Sequence, residues 1–120
     1  MYFSSSDELN KIVPVCEGVW TKNYLYEHLV WSCNVKFKDY IDKFFSDYLN
    51  DENLADMLFS FLLDDYYDGS DCQMGAARLI SKLDRQMLRT KKELLLKAQE
   101  NEVYWKRPFP PGADNLDWLL

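Results

Sequence analysis

The chain has 120 residues, enough for one domain with one core, and its 48 % apolar content excludes wholesale disorder. A formal net charge of −6 argues against a nucleic-acid binder, which would carry a basic face. No stretch approaches the roughly 18 apolar residues of a membrane span, and the start Met1-Tyr2-Phe3-Ser4 lacks the regions of a signal peptide, so a soluble, cytoplasmic protein is expected.

Along the chain, Ser6 is placed to cap a short helix containing Leu9, Ile12, Val13 and Cys16, which Pro14 bends or ends. Gly18 reads as a break. Tyr24 to Cys33 is apolar on nearly all sides and predicts a buried helix, with a strand as the alternative. Phe37, Tyr40, Ile41, Phe44, Phe45, Tyr48 and Leu49 recur at helical spacing and define one helix face. Asn50 or Asp51 then caps a second helix, with Leu54, Met57, Leu58, Phe61 and Leu62 inward and a stop near Tyr67, before the Asp68-Gly69 turn.

Ser70 or Asp71 caps a third helix, whose inner stripe is Met74, Ala77, Ile80, Leu83 and Met87. The run continues through Leu94, Leu95, Ala98 and Val103, as one long helix or as two with a break near Arg89-Thr90. From Pro108 the chain cannot be helical, and Phe109, Leu116, Trp118 and Leu119 are expected to pack back on the body. The fold class is therefore all-α. It is a single-domain bundle of about five to six helices over 1–120, with an extended tail at 108–120.

Charge is segregated. Asp39 to Asp71 holds ten acidic residues and one basic residue, a balance of −9, whereas Cys72 to Arg107 balances at +5. Either the acidic helices pair with the basic helix beside them, or they form a docking surface for a cationic partner. Arg78, Lys82, Arg85, Arg89, Lys91 and Lys92 carry no interleaved aromatics, so they read as internal ion-pair partners rather than a nucleic-acid site.

Chemical motifs are scarce. An EF-hand starting at Asp64 would need an oxygen ligand where Tyr66 stands and Glu where Gly75 stands, so no metal is expected. Asp64 and Asp68 have the spacing of helical magnesium-dependent nucleotide hydrolases, but no second carboxylate pair faces them. His28, the only histidine, reads as a core or boundary residue, and no orienting motif supports a dyad with Cys16 or Cys33. The three cysteines read as reduced thiols. No catalytic residue and no cofactor are assigned.

The segment Phe61-Leu62-Leu63-Asp64-Asp65-Tyr66-Tyr67-Asp68-Gly69-Ser70-Asp71-Cys72-Gln73-Met74-Gly75-Ala76-Ala77-Arg78-Leu79-Ile80 and the ending Arg107-Pro108-Phe109-Pro110-Pro111-Gly112-Ala113-Asp114-Asn115-Leu116-Asp117-Trp118-Leu119 suggest a family. Over roughly the C-terminal half, the chain resembles bacterial immunity proteins of contact-dependent growth inhibition systems. It is most similar to the helical group paired with EndoU-type RNase toxins. The resemblance implies a non-enzymatic inhibitor that binds the toxin's C-terminal nuclease domain as a one-to-one heterodimer. No direct contact with nucleic acid or membrane is implied, and no contact residue is carried over.

The residues agree with that implication in one respect. RNase clefts hold phosphates with cations, so an acidic inhibitor can occlude one by imitating the charge of RNA. The expected contact residues are Asp42, Asp47, Asp51, Glu52, Asp56, Asp64, Asp65 and Asp68 for the field, with Tyr66 and Tyr67 as anchors. The alternatives are the magnesium-dependent nucleotide hydrolase and a structural adaptor that oligomerises through exposed aromatics.

Overall fold

Pro14 and the Glu17-Gly18 pair decide how the described chain begins. The computed structural model describes residues 11–68, 70–103, 106–109 and 116–119. Glu17 and Gly18 both take positive φ, 51° and 80°, the left-handed pair that closes a two-residue hairpin turn. They join β1 (Val15–Cys16) to β2 (Val19–Trp20), antiparallel with Val15 opposite Trp20. Val13 and Cys16 are therefore not helical, and Gly18 is a hairpin residue rather than a simple break. The Ser6 cap lies outside the described residues, as do Gly69, Trp105 and the tail residues 110–115.

Six α-helices follow among the described residues: α1 (Lys22–Trp31), α2 (Val35–Phe45), α3 (Glu52–Leu63), α4 (Asp71–Ile80), α5 (Arg85–Thr90) and α6 (Lys92–Gln99). The fold is mostly helical, as the periodicity predicts. Side chains cap most of the helix starts. Asn34, Asp51, Ser70 and Asp84 accept from the N–H groups of Lys36, Leu54, Gln73 and Gln86, satisfying donors that lack an intrahelical partner.

α4 is the central helix, packed on one side against α1 and on the other against α3. Its approach to α1 depends on Gly75. A Cβ at that position would collide with the Leu29 carbonyl oxygen and sit 2.8 Å from the Ser32 Oγ. Gly costs a helix interior about 1 kcal/mol relative to Ala, and here the close crossing offsets that cost. Because α4 is covered from two sides, only the narrow Asp71–Met74–Arg78 stripe faces outward. Met74, read from sequence as inner, is 40 % exposed for this reason.

Phe37, Ile41 and Phe45 of α2 are buried, with Tyr40, Phe44, Tyr48 and Leu49 packed at their margin. Trp20 joins the hairpin to this group. Its ring stacks on Phe45 at 6.1 Å, meets Tyr48 edge-on at 5.2 Å, and donates Nε1–H to Asp51 at 3.2 Å. The tail is held by α5 and α6. Gln99 bonds both the N–H and the carbonyl of Phe109, and Arg89 Nε donates to the Trp118 carbonyl at 2.7 Å. Phe109 and Trp118 pack edge-to-face, Leu119 is buried, and Leu116–Leu119 forms a short 3-10 turn rather than an extended strand.

Candidate functional site

Eight of the ten acidic residues of 39–71 fall into three places with different electrostatic states. Asp42, on α2, is bound by the Arg78 guanidinium at 2.9 Å and the Lys82 ammonium at 3.1 Å. Burial alone would raise its pKa, but these two hydrogen-bonded cations outweigh burial and hold the carboxyl below its ordinary value. At the start of α3, Glu52 and Asp56 stand one turn apart and share Lys91 at 3.1 and 2.7 Å. Their hydrogen bonds, Asp56 first, push the Lys91 pKa up. Asp51 is committed to capping α3 and to Trp20. Asp47 is exposed after α2.

The third place is the corner between α3 and α4. The sequence reading extends α3 to Tyr67, but the helix ends at Leu63. Asp64 leaves helical geometry and caps a 3-10 turn over Asp65–Tyr67 by accepting the Tyr66 N–H at 2.9 Å. The turn rests on Gln73, which is 1 % exposed. Its Nε2 reaches the carbonyls of Phe61, Leu62 and Asp64 at 3.4, 3.2 and 3.1 Å. The Phe61 and Leu62 carbonyls are among those that the end of α3 leaves without helical partners, and the Asp64 carbonyl also accepts the Tyr67 N–H at 3.1 Å, so one side chain of α4 closes α3 and orients the corner. Its Oε1 is buried without a partner among the described residues.

On this corner Asp64, Asp65, Asp68 and Asp71 are all exposed, and only Asp68 forms an ion pair among the described residues, with Lys106. Tyr66 projects outward at 85 % exposure. Tyr67 turns inward, 5.0 Å from the Phe61 ring, 5.9 Å from Tyr26 and 5.0 Å from Tyr66. Between these rings and the start of α1 lies a concavity of about 510 Å³, with Lys22, Asn23, Asp68 and Ser70 at its margins. The field residues expected from sequence are therefore divided. Asp64, Asp65, Tyr66, Tyr67 and Asp68 come together, whereas Asp42, Glu52 and Asp56 are engaged by internal cations elsewhere.

Of the remaining reactive groups, Cys16 is an exposed free thiol, whereas His28, Cys33 and Cys72 are packed into the body. His28 is 3 % exposed and packs on Phe44 and Phe45 at 5.8 and 6.4 Å. Its Nδ1 lies 2.9 Å from the Tyr24 carbonyl, which can only accept, so Nδ1 carries the proton. Burial lowers its pKa. Cys33 Sγ faces the carbonyls of Asp71 and Leu29, and burial pushes the thiol up, as it pushes Cys72 to about 12. Among the described residues no hydrogen bond joins Cys16 or Cys33 to His28. Among the described residues no three His, Cys, Asp or Glu side chains gather to hold a metal ion.

Sequence reasoning passed over Gln73, Gly75, Lys22 and Tyr26. The Gly75-Ala76-Ala77 run was the available signal, since small residues inside a helix mark close helix approach. Nothing local marked Lys22 or Gln73, whose roles arise from contacts across elements. No family model, no curated protein and no solved structure matches the chain.

Proposed function

We propose that this chain is a non-enzymatic, cytoplasmic binding protein that neutralises a toxic nuclease domain, as its resemblance to contact-dependent growth inhibition immunity proteins implies. The binding face is the Asp64–Asp71 corner. One observation carries the reading: Tyr66 is 85 % exposed on a turn held from beneath by a buried glutamine, in a segment whose four carboxylates, Asp64, Asp65, Asp68 and Asp71, are all exposed. A large exposed ring on a hydrogen-bonded turn offers contact area at low conformational-entropy cost and suits an interface anchor. The surrounding charge matches a cleft built to hold phosphates, where it speeds docking and blocks RNA.

The partner is the C-terminal nuclease domain of the cognate toxin, an EndoU-type RNase on the resemblance, bound one to one. The test is to mix purified chain with that domain and follow complex formation and RNA cleavage. A stoichiometric complex that abolishes cleavage and weakens as salt rises is expected. The D64N/D65K variant keeps a capping side chain for the Tyr66 N–H and should bind at least about tenfold more weakly. Full cleavage in the presence of excess chain would refute the function. Unchanged affinity of the variant would refute this face.

A further inference from the structure

The concavity beside Tyr67 already holds a cation of the protein's own. The Lys22 ammonium lies 5.6 Å from the Phe61 ring centre and 5.7 Å from that of Tyr67. Lys22 is exposed, at the first position of α1, and makes no ion pair among the described residues. Tyr26 and Tyr66 add two further rings beside the pair it covers. Asp68 borders the same space, and among the described residues Lys106 engages only its Oδ1.

We infer that this concavity is an arginine pocket, and that Lys22 is a tethered placeholder which an arginine of the protein partner displaces. The proposal rests on the corner being the binding face and names the chemistry that face selects. An ammonium held over rings at an exposed site is bound weakly, so Lys22 can swing out to solvent at little cost. A guanidinium gains more there. It is planar and stacks on tyrosine faces, it is less strongly hydrated than an ammonium, and its fork can bond the unengaged Oδ2 of Asp68 while the rings cover its faces. Asp64 and Asp65 on the adjoining turn supply the attraction that brings such a side chain in.

The test uses the full chain and the probe peptide acetyl-Gly-Arg-Gly-Arg-Gly-amide, with the lysine-for-arginine peptide as its control, followed by NMR of the tyrosine rings. The arginine peptide should shift Tyr26, Tyr66 and Tyr67 and bind several-fold more tightly than the lysine peptide. Removing the placeholder with K22A should tighten arginine binding about threefold, and Y66A should weaken it by a similar factor. Both substitutions are at exposed positions, so the fold is preserved. Equal binding of the two peptides, shifts confined to other rings, or weaker binding by K22A would overturn the pocket. A nuclease complex that is weakened by D64N/D65K and by Y66A but indifferent to K22A, with the arginine and lysine peptides bound equally, would remove the arginine pocket while leaving the binding face intact.

Discussion

The acidic start of α3 and the acidic corner at its other end are made of the same residue types, yet they are electrostatically different objects. Glu52 and Asp56 close on Lys91, and Asp42 on the neighbouring helix closes on Arg78 and Lys82. Asp64, Asp65 and Asp71 face solvent without an ion-pair partner among the described residues. The ends of α3 lie about 16 Å apart at 1.5 Å per residue, beyond the screening length at physiological salt. The basic stretch after Cys72 therefore pairs both acids at one end and, among the described residues, only Asp68 at the other. Charge counted along a sequence measures supply, and the fold decides where it remains unspent.

The contrast can be broken first by removing the platform beneath the corner. Gly75→Ala forces α1 and α4 apart at their crossing and should destabilise the protein by about 2–4 kcal/mol, read from urea unfolding. A change under about 0.5 kcal/mol would show that the crossing yields easily. A second comparison sets Asp42→Asn against Asp65→Asn. Asp42 is half-buried and doubly bonded, so its loss should cost about 1–2 kcal/mol, whereas Asp65→Asn should change stability by less than about 0.5. Equal costs would contradict the division into engaged and free carboxylates.

The smallest effect concerns pH. The native His28 ring resists protonation because it is buried, so its folded pKa lies below its unfolded value. The neutral ring's contribution is fully present above about pH 6.5 and is lost as pH falls through the folded pKa. Unfolding midpoints should therefore fall below that pH in the wild type and fall less steeply in His28→Gln. Parallel pH profiles would place the acid sensitivity elsewhere.

Much of the architecture was legible because it rests on local rules. The Phe37-to-Phe45 part of the stripe, the Asp51 cap and the Ser70 cap are set by spacing and side-chain reach and stand where those rules place them, whereas α2 ends at Phe45 and Tyr48 and Leu49 pack at the core's margin after the helix has ended. The hairpin was not legible, because Glu17-Gly18 is a weak version of the usual turn pair. The continuous helical pattern after Cys72 hid the interruption at Ser81–Asp84, where Asp84 bonds back to the Leu49 carbonyl and caps α5. The exposed face of Met74 followed from α4 having two neighbours, which periodicity cannot count. For the site, the residue types at 64–68 were visible, but which carboxylates had partners was not. Ion pairs such as Asp42–Arg78 span 36 positions and exist only after folding.

The most direct measurement compares two charge-matched variants, D64N/D65N and E52Q/D56N, for affinity to the proposed partner, the toxin's nuclease domain. Each removes two negative charges, and the asparagine introduced by D64N still offers a side-chain oxygen to cap the turn. The corner variant should lose at least about tenfold and the other less than about threefold, since only the first removes charge at the proposed contact. Equal losses would mean that net charge alone drives binding, and a larger loss from E52Q/D56N would place the partner at the opposite end of α3.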